Sequence, residues 1–525
     1  NAGAIMLEQV GTNSGGSMQS SVPDDYKRLM DKFKDLTVLQ SASAIIQWDM
    51  ETKMPPAAYG LRSEQLALLS QIDHRMSTDP EIGPLLARLG GIEGLDAQAK
   101  RNVYLIKKMY DEKTKIPESL VKELAKQEVV AYSAWKSAKS KKDYSLFRPE
   151  LEKIFELKMR VGEILMGVKG TRTVYDALLD IFEPKMTADS IAVTFECLRN
   201  GLKSVISKYS GRATEADIAL LKRKVPIDAQ REISKALARF IGYEIEGPNA
   251  KGRIDETEHP FTTGYYDDVR ITTHYYEEDC LSSLMSVLHE GGHAMYETSL
   301  PREWMYQPIG SACSYGFHES QSRFVENVVG RSPEFWDYFF PEFNRATGGA
   351  FSDASAEALA RAVNIVRPSK IRIEADEATY AMHIIIRFEI EQALFSGKVS
   401  VAELPQVWNQ KYRDYLGIEV ENDAEGVLQD VHWSHGYFGY FPSYALGNIY
   451  AGMMIPKIDR EVPSWRDAIR RGSFSEVRDW LRRNVHNHGN LYDPPDLLRK
   501  AAGGEVTPAP FLSYLDAKYS RVYGL

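Results

Sequence analysis

The stretch Ser282–Leu300, SSLMSVLHEGGHAMYETSL, decides how this chain is read. Within it His289-Glu290-Gly291-Gly292-His293 forms a His-Glu-x-x-His pattern. Leu284, Met285, Val287, Leu288 and Met295 give the pattern an apolar helical flank, so it belongs on a buried helix and not in a loop. Histidines four apart leave one helix face a turn apart. Imidazoles so placed hold two corners of a tetrahedral zinc site. Glu290 follows the first histidine directly, where a carboxylate reaches the attacking water and serves as general base. Gly291 and Gly292 each cost about 1 kcal/mol relative to alanine inside a helix. Two in succession predict a close approach to the backbone. A tight helix crossing would explain them, but beside this motif they are expected to make room for a substrate chain.

A catalytic zinc takes three protein ligands and keeps a position open. Glu319, in FHESQSRFVEN at 317–327, is the expected third ligand, brought back on a second helix. Glu297, one turn past His293, would crowd the open position; Glu326 and His318 are the remaining candidates. Two neutral imidazoles and one carboxylate leave the centre positively charged. Such a centre suits peptide or amide hydrolysis by water, with the oxyanion held by the metal and nearby donors.

Working outward, the chain reads as mainly α-helical, with a small β-sheet near the metal helix. Tyr26, Leu29, Met30, Phe33 and Leu36 recur at helical spacing after Pro23-Asp24-Asp25, a good helix start. Long amphipathic stretches follow at Leu95–Tyr110, Pro117–Ala138 and Tyr144–Met166. Gly264–Thr273 is rich in aromatic and β-branched residues and predicts strand and turn. Helices resume to the C-terminus, broken at Pro405, Pro442, Pro463 and Pro494-Pro495. Residues 1–17 are expected to be a disordered leader or tail, with Met18 a native start. Residues 18–525 are expected to form one domain, a helical scaffold at 18–246 and a catalytic half at 247–525. Of eleven histidines only His74 precedes His259, which puts the chemistry in the second half.

With 525 residues, 43% of them hydrophobic, the chain can bury a large core. A net charge of −9 with interspersed signs argues against a nucleic-acid binder. Cys197, Cys280 and Cys313 give no disulfide framework and indicate a reducing, cytoplasmic setting. No run reaches the length of a transmembrane helix, so no membrane partner is expected.

Five motifs in order then make the chain resemble the carboxypeptidase Taq family of zinc metallocarboxypeptidases. They are Asp268, Arg270 and Thr272; His289 to His293; His318-Glu319-Ser320-Gln321; Ile371, Arg372, Ala375 and Asp376; and Gly426, Gln429, Asp430, His432 and Trp433. The resemblance implies a helical fold with a deep central groove, a homodimer, and release of single residues from peptide C-termini. It also implies Glu319 as third ligand and a zinc ion that cobalt can replace.

A carboxypeptidase must hold a free α-carboxylate, and the planar fork of arginine does so bidentately. Arg372 is the expected substrate-binding residue, in the helical run SKIRIEADEATYAMHIIIRFEI, with Arg270 and Arg323 as alternatives. A salt bridge from Arg372 to Asp376 is the structural alternative. Asp268 and Asp376 could instead receive the outer N–H of zinc-bound histidines. His432 and Tyr444 are expected to face the metal as catalytic donors or peptide anchors; His486 and His488 are read as loop or groove residues. The competing functions are a zinc oligopeptidase, an aminopeptidase and a helical scaffold with a degenerate site. Glu290 speaks against the scaffold, because a structural metal site has no use for that carboxylate.

Overall fold

The computed structural model describes residues 22–92 and 94–525. The tail expected at 1–17 and the start expected at Met18 lie outside them. The first helix runs Val22–Thr52 and Tyr59–Ser77 follows the break at Pro55-Pro56. Ala97–Lys115 begins at Asp96, whose carboxylate accepts the Ala99 N–H at 2.8 Å, a cap worth about 1 kcal/mol. Leu29 of the first helix, Leu85 and Leu86 of the helix Ile82–Leu89, and Ile106 of Ala97–Lys115 form a small core of their own. A far larger core takes in residues from Ala131 to Tyr519 and continues across residue 247, where the composition changes.

The chain is mainly α-helical, as expected, and its strands lie just before the motif helix. Three strands, β1 (Gly252–Glu256), β2 (Thr262–Tyr265) and β3 (Asp268–Thr273), form a sheet in the order β1-β3-β2. β2 and β3 are the predicted strand and turn; β1 pairs parallel to β3 and was not anticipated. Its sequence, GRIDE, carries charges that no half-buried strand pattern would suggest. Pro405, Pro442 and Pro494 delimit helices by standing in their first turns, where the missing N–H costs nothing.

Three helical segments meet at the centre. The motif helix, Cys280–Ser299, starts at Asp279, which caps the Ser282 N–H. The return helix, Tyr315–Arg323, starts at Ser314, which caps the Phe317 N–H at 3.0 Å. It passes directly into a π-helix, Phe324–Gly330, a winding found most often at functional sites. Pro442–Glu461 packs on its other side.

The glycine pair does not make room for substrate. A Cβ on Gly292 would stand 2.6 Å from the Gln321 carbonyl oxygen and from the Ser322 Cα, and one on Gly291 would stand 2.3 Å from the Ile241 Cδ1. The tight crossing is therefore the correct explanation: Gly292 lets the return helix lie against the motif helix, and Gly291 admits Ile241 of the helix Ile227–Ile241. Beside this crossing opens a groove of about 1440 Å³, walled on one side by Arg101, Tyr104 and Lys108 of Ala97–Lys115.

Candidate metal centre and groove

His289 and His293 aim their Nε2 atoms at one oxygen of Glu319, at 3.7 and 3.4 Å from Oε2. The ligand atoms of all three residues lie within 4.8 Å of one another. Arms of about 2.0–2.1 Å to a tetrahedral zinc imply edges of roughly 3.3–3.4 Å between ligands. The three atoms thus outline a slightly open face of such a tetrahedron, and the donor set fits a divalent ion. Glu319 is held by Arg323, whose Nε donates to Oε1 at 2.6 Å, while Oε2 accepts the Ser322 hydroxyl at 3.2 Å and faces the two histidines.

The hydrogen bonds behind the histidines set their tautomers. His289 Nδ1 donates to Glu326 Oε2 at 2.9 Å, which keeps the lone pair on Nε2. His293 uses a relay. His318 Nε2 stands 2.7 Å from Glu297 Oε1, so it carries the proton; its Nδ1 then accepts from His293 Nδ1 at 2.5 Å. His293 Nε2 is again bare. Glu297, Glu326 and His318, candidates for the third ligand by sequence, are placed behind the histidines. Asp268 and Asp376 are not there. Asp268 takes both Nε and Nη2 of Arg270 at 2.7 Å, and Asp376 caps the Ala378 and Thr379 N–H groups of the helix Glu377–Phe395.

Burial holds His293 down to about 3, helped by the neighbouring His318 and His289, so it is the neutral form that a metal needs. Burial also lowers His289, but Glu319 and Glu326 outweigh it and raise it overall. Burial opposes ionisation of Glu319 and Glu326, yet Arg323 and the histidines keep both carboxyls well below their usual range. Glu290 differs. Burial raises it, only partly countered by His289 and by the Thr262 hydroxyl, which donates to Oε2 at 2.6 Å. Thr262 comes from β2, so the sheet orients Glu290. A Thr on a short strand carries no sequence signal for that task.

Arg372 lies on a short turn, Arg372–Glu374, before the helix and not within it. Asp376 is occupied as the N-cap, so the salt bridge to Arg372 that stood as the structural alternative does not form. Arg372 instead donates Nε to Asp430 at 2.9 Å and Nη1 to the Tyr380 hydroxyl at 3.0 Å. Its Nη2 makes no hydrogen bond to a described residue, and the side chain lines the groove. Arg270 stacks on Trp48, 4.3 Å from the ring centroid, away from the groove lining. Tyr444 lines the groove; His432 stands behind it, with Nε2 3.2 Å from the Tyr444 hydroxyl. His486 is fully buried on Gln321, at 2.8 Å, and braces the return helix.

Sequence reasoning missed Glu183. It is fully buried and accepts from the Gly316 N–H, the Ser314 hydroxyl and the Tyr450 hydroxyl, each at 2.9 Å. It thus fixes the N-terminus of the return helix, which carries Glu319, to the helix Pro442–Glu461. Burial pushes its carboxyl up to about 7 despite these bonds.

The sequence matches the carboxypeptidase Taq (M32) metallopeptidases over residues 28–519. It is 39% identical over 509 residues to thermostable carboxypeptidase 1 of Thermus thermophilus, covering 95% of this chain and 99% of that protein. To carboxypeptidase 1 of Bacillus subtilis it is 38% identical over 499 residues, covering 95% and 98%. The crystal structure of the M32 carboxypeptidase from Deinococcus radiodurans R1 superimposes with a TM-score of 0.91 at 32% identity, covering 95% of this chain and 100% of that one. The metal-ligand geometry, the groove and these matches agree, and this chain is a metallocarboxypeptidase of the carboxypeptidase Taq (M32) family.

Proposed function

We propose that the groove takes a peptide by its free C-terminus and that its last peptide bond is hydrolysed at His289, His293 and Glu319, with Glu290 as general base. A zinc ion fits the three ligands, and cobalt should substitute. When bound, the ion supplies Lewis acidity that activates water and polarises the scissile carbonyl. Glu290 holds the proton taken from the attacking water at its Oε1, since Oε2 is engaged by Thr262. Its raised pKa suits it to accept that proton and return it to the leaving amine. The Tyr444 hydroxyl, oriented by His432, donates to the developing oxyanion or to the peptide backbone. Arg372 binds the terminal carboxylate.

The observation that carries this reading is that Arg372 lines the groove that also holds the three ligands and has an Nη2 with no hydrogen bond to a described residue. Arg323 is spent on Glu319 and Glu326, and Arg270 on Asp268. The three free cysteines, two of them buried, support a cytoplasmic protein. The family resemblance supports a homodimer, which light scattering on purified protein would test. Residues 18–525 are read as one functional domain, a reading supported among the described residues by the large core that spans residue 247 from Ala131 to Tyr519.

Two N-terminally blocked peptides of one sequence test the proposal, one ending in a carboxylate and one in an amide. Mass spectrometry with zinc- or cobalt-loaded enzyme should give a ladder shortened from the free C-terminus and almost nothing from the amide. Internal cleavage of both would establish an oligopeptidase instead, and cleavage only of unblocked peptides an aminopeptidase. Glu290→Gln should keep its metal and lose turnover by about 10²–10⁴-fold.

A further inference from the structure

Glu391 lies fully buried on the helix Glu377–Phe395, and the hydrolytic chemistry gives it no task. Its Oε1 accepts the Trp433 indole N–H at 2.8 Å. Its Oε2 accepts the Gly439 N–H at 2.9 Å and the Tyr175 hydroxyl at 2.8 Å. Trp433 directly follows His432, and Gly439 directly precedes Tyr440, which lines the groove. One carboxylate therefore ties both ends of the loop that carries these groups. Gly439 has φ +84°, and a Cβ there would stand 2.8 Å from the Leu179 nitrogen. The loop thus rests on the backbone of the helix Val174–Leu179, which also supplies Tyr175.

The chemistry of the three donors makes the charge state matter. An indole N–H and a backbone N–H donate only; a tyrosine hydroxyl can turn and accept. The two obligate donors stand on different oxygens of Glu391. A carboxylate satisfies both. A glutamine of the same shape satisfies one, because either orientation of its amide sets an NH2 against an N–H. Burial pushes the Glu391 carboxyl up to about 7, while the three hydrogen bonds and Arg387 of the same helix pull it down.

We propose that Glu391 is a positioning residue for peptide hydrolysis: its carboxylate sets where His432 and Tyr440 stand, and through His432 the Tyr444 hydroxyl. This rests on Tyr444 facing the substrate with His432 behind it, as argued above, and it adds the residue that places them.

The test uses metal-loaded full-length enzyme labelled with 5-fluorotryptophan, with the Trp433 resonance assigned by its loss in Trp433→Phe. In Glu391→Gln the Trp433 signal should shift or broaden. kcat/KM on the carboxylate-ended peptide should fall at least tenfold, mostly through KM, at wild-type metal content. Tyr175→Phe removes only one donor and carries the test if the glutamine variant does not fold; its KM should rise two- to fivefold with a displaced Trp433 signal. An unmoved Trp433 signal with KM within twofold of wild type in the variant that folds overturns the proposal. A shifted signal with unchanged kinetics overturns it too, leaving Glu391 a purely structural group. His432→Ala separates the two claims. If that variant keeps wild-type kcat/KM, the role of His432 in orienting Tyr444 fails, whereas the tie between Glu391 and the loop is still read directly from the fluorine signal.

Discussion

Glu326→Gln is the sharpest perturbation of the metal centre, because every neighbour of that carboxylate is a donor. Oε2 takes the His289 Nδ1–H at 2.9 Å and faces Arg323 Nη1 at 3.4 Å; Oε1 takes Arg331 Nη2 at 3.0 Å. Glutamine keeps the shape but has one acceptor oxygen. If that oxygen serves Arg331, the amide NH2 confronts His289 and favours the tautomer with its proton on Nε2, which cannot bind a metal. If it serves His289, Arg331 loses its counter-charge. Loss of such an outer partner typically costs 10–100-fold in metal affinity, or about 1.4–2.7 kcal/mol. The stability cost should stay below the roughly 3–5 kcal/mol of a fully buried broken pair. The two side chains are 11% and 19% exposed, and Arg331 keeps bonds to the Val363 carbonyl and to Asn327. Competition against a chromophoric chelator near neutral pH measures the affinity, and activity at saturating metal separates binding from chemistry. A metal Kd within twofold of wild type would refute the assignment of Glu326 as the group that orients His289.

Three further outcomes are expected. Arg372→Ala should raise KM for carboxylate-ended peptides by roughly 10–100-fold, as for a lost charged hydrogen bond; an unchanged KM would move the clamp to another arginine. The fold should survive it, because Asp430 keeps Arg387 at 2.6 Å. Gly292→Ala should cost about 1–3 kcal/mol of stability through overpacking at the helix crossing and weaken metal binding; thermal unfolding and metal content read both, and a wild-type result in each would remove the crossing from the account. Asp430 gives a pH dependence. Burial opposes its ionisation, but Arg387 and Arg372 outweigh burial and hold its carboxyl well below its ordinary value of 3.8. A depressed carboxyl stabilises the fold in full above that ordinary value and loses the contribution as pH falls below it. Asp430→Asn should therefore flatten the acid limb of the stability–pH curve below about pH 4, and parallel curves would show that the pair contributes nothing.

The sequence told most where chemistry imposes spacing. His289, Glu290 and His293 follow from one helical turn, and Glu319 from the need for an open coordination position. What it withheld depended on three-dimensional neighbours. Nothing in the spacing of Glu326, Glu297 and His318 says that they stand behind the histidines; that depends on the π-helical winding and on the backbone contact at Gly292. The glycine pair was misread for the same reason, since a flat sequence cannot distinguish a neighbouring helix from a neighbouring peptide. Asp376 looked like a partner for Arg372, but a carboxylate at a helix N-terminus has backbone N–H groups within reach first. Glu183 was invisible because a polar residue satisfied inside a fold looks like a surface residue in a sequence, and β1 because its exposed Arg253 and Glu256 break the strand pattern.

Glu319 is gauged from two sides by main chain. The Gly292 crossing sets its distance from the motif helix, and a Cβ on Gly447 would stand 2.5 Å from its Cγ. The two backbone contacts hold the return helix, and with it Glu319, close to both neighbouring helices. The edges of 3.4 and 3.7 Å suit an ion with arms of about 2.0–2.1 Å after a slight closure, and the two imidazoles disfavour oxygen-seeking ions such as calcium. The spacing of the ligands at this centre therefore belongs to the packing of the protein interior, and metal affinity should weaken in step with any variant that loosens the helix crossing, even one whose ligands are untouched.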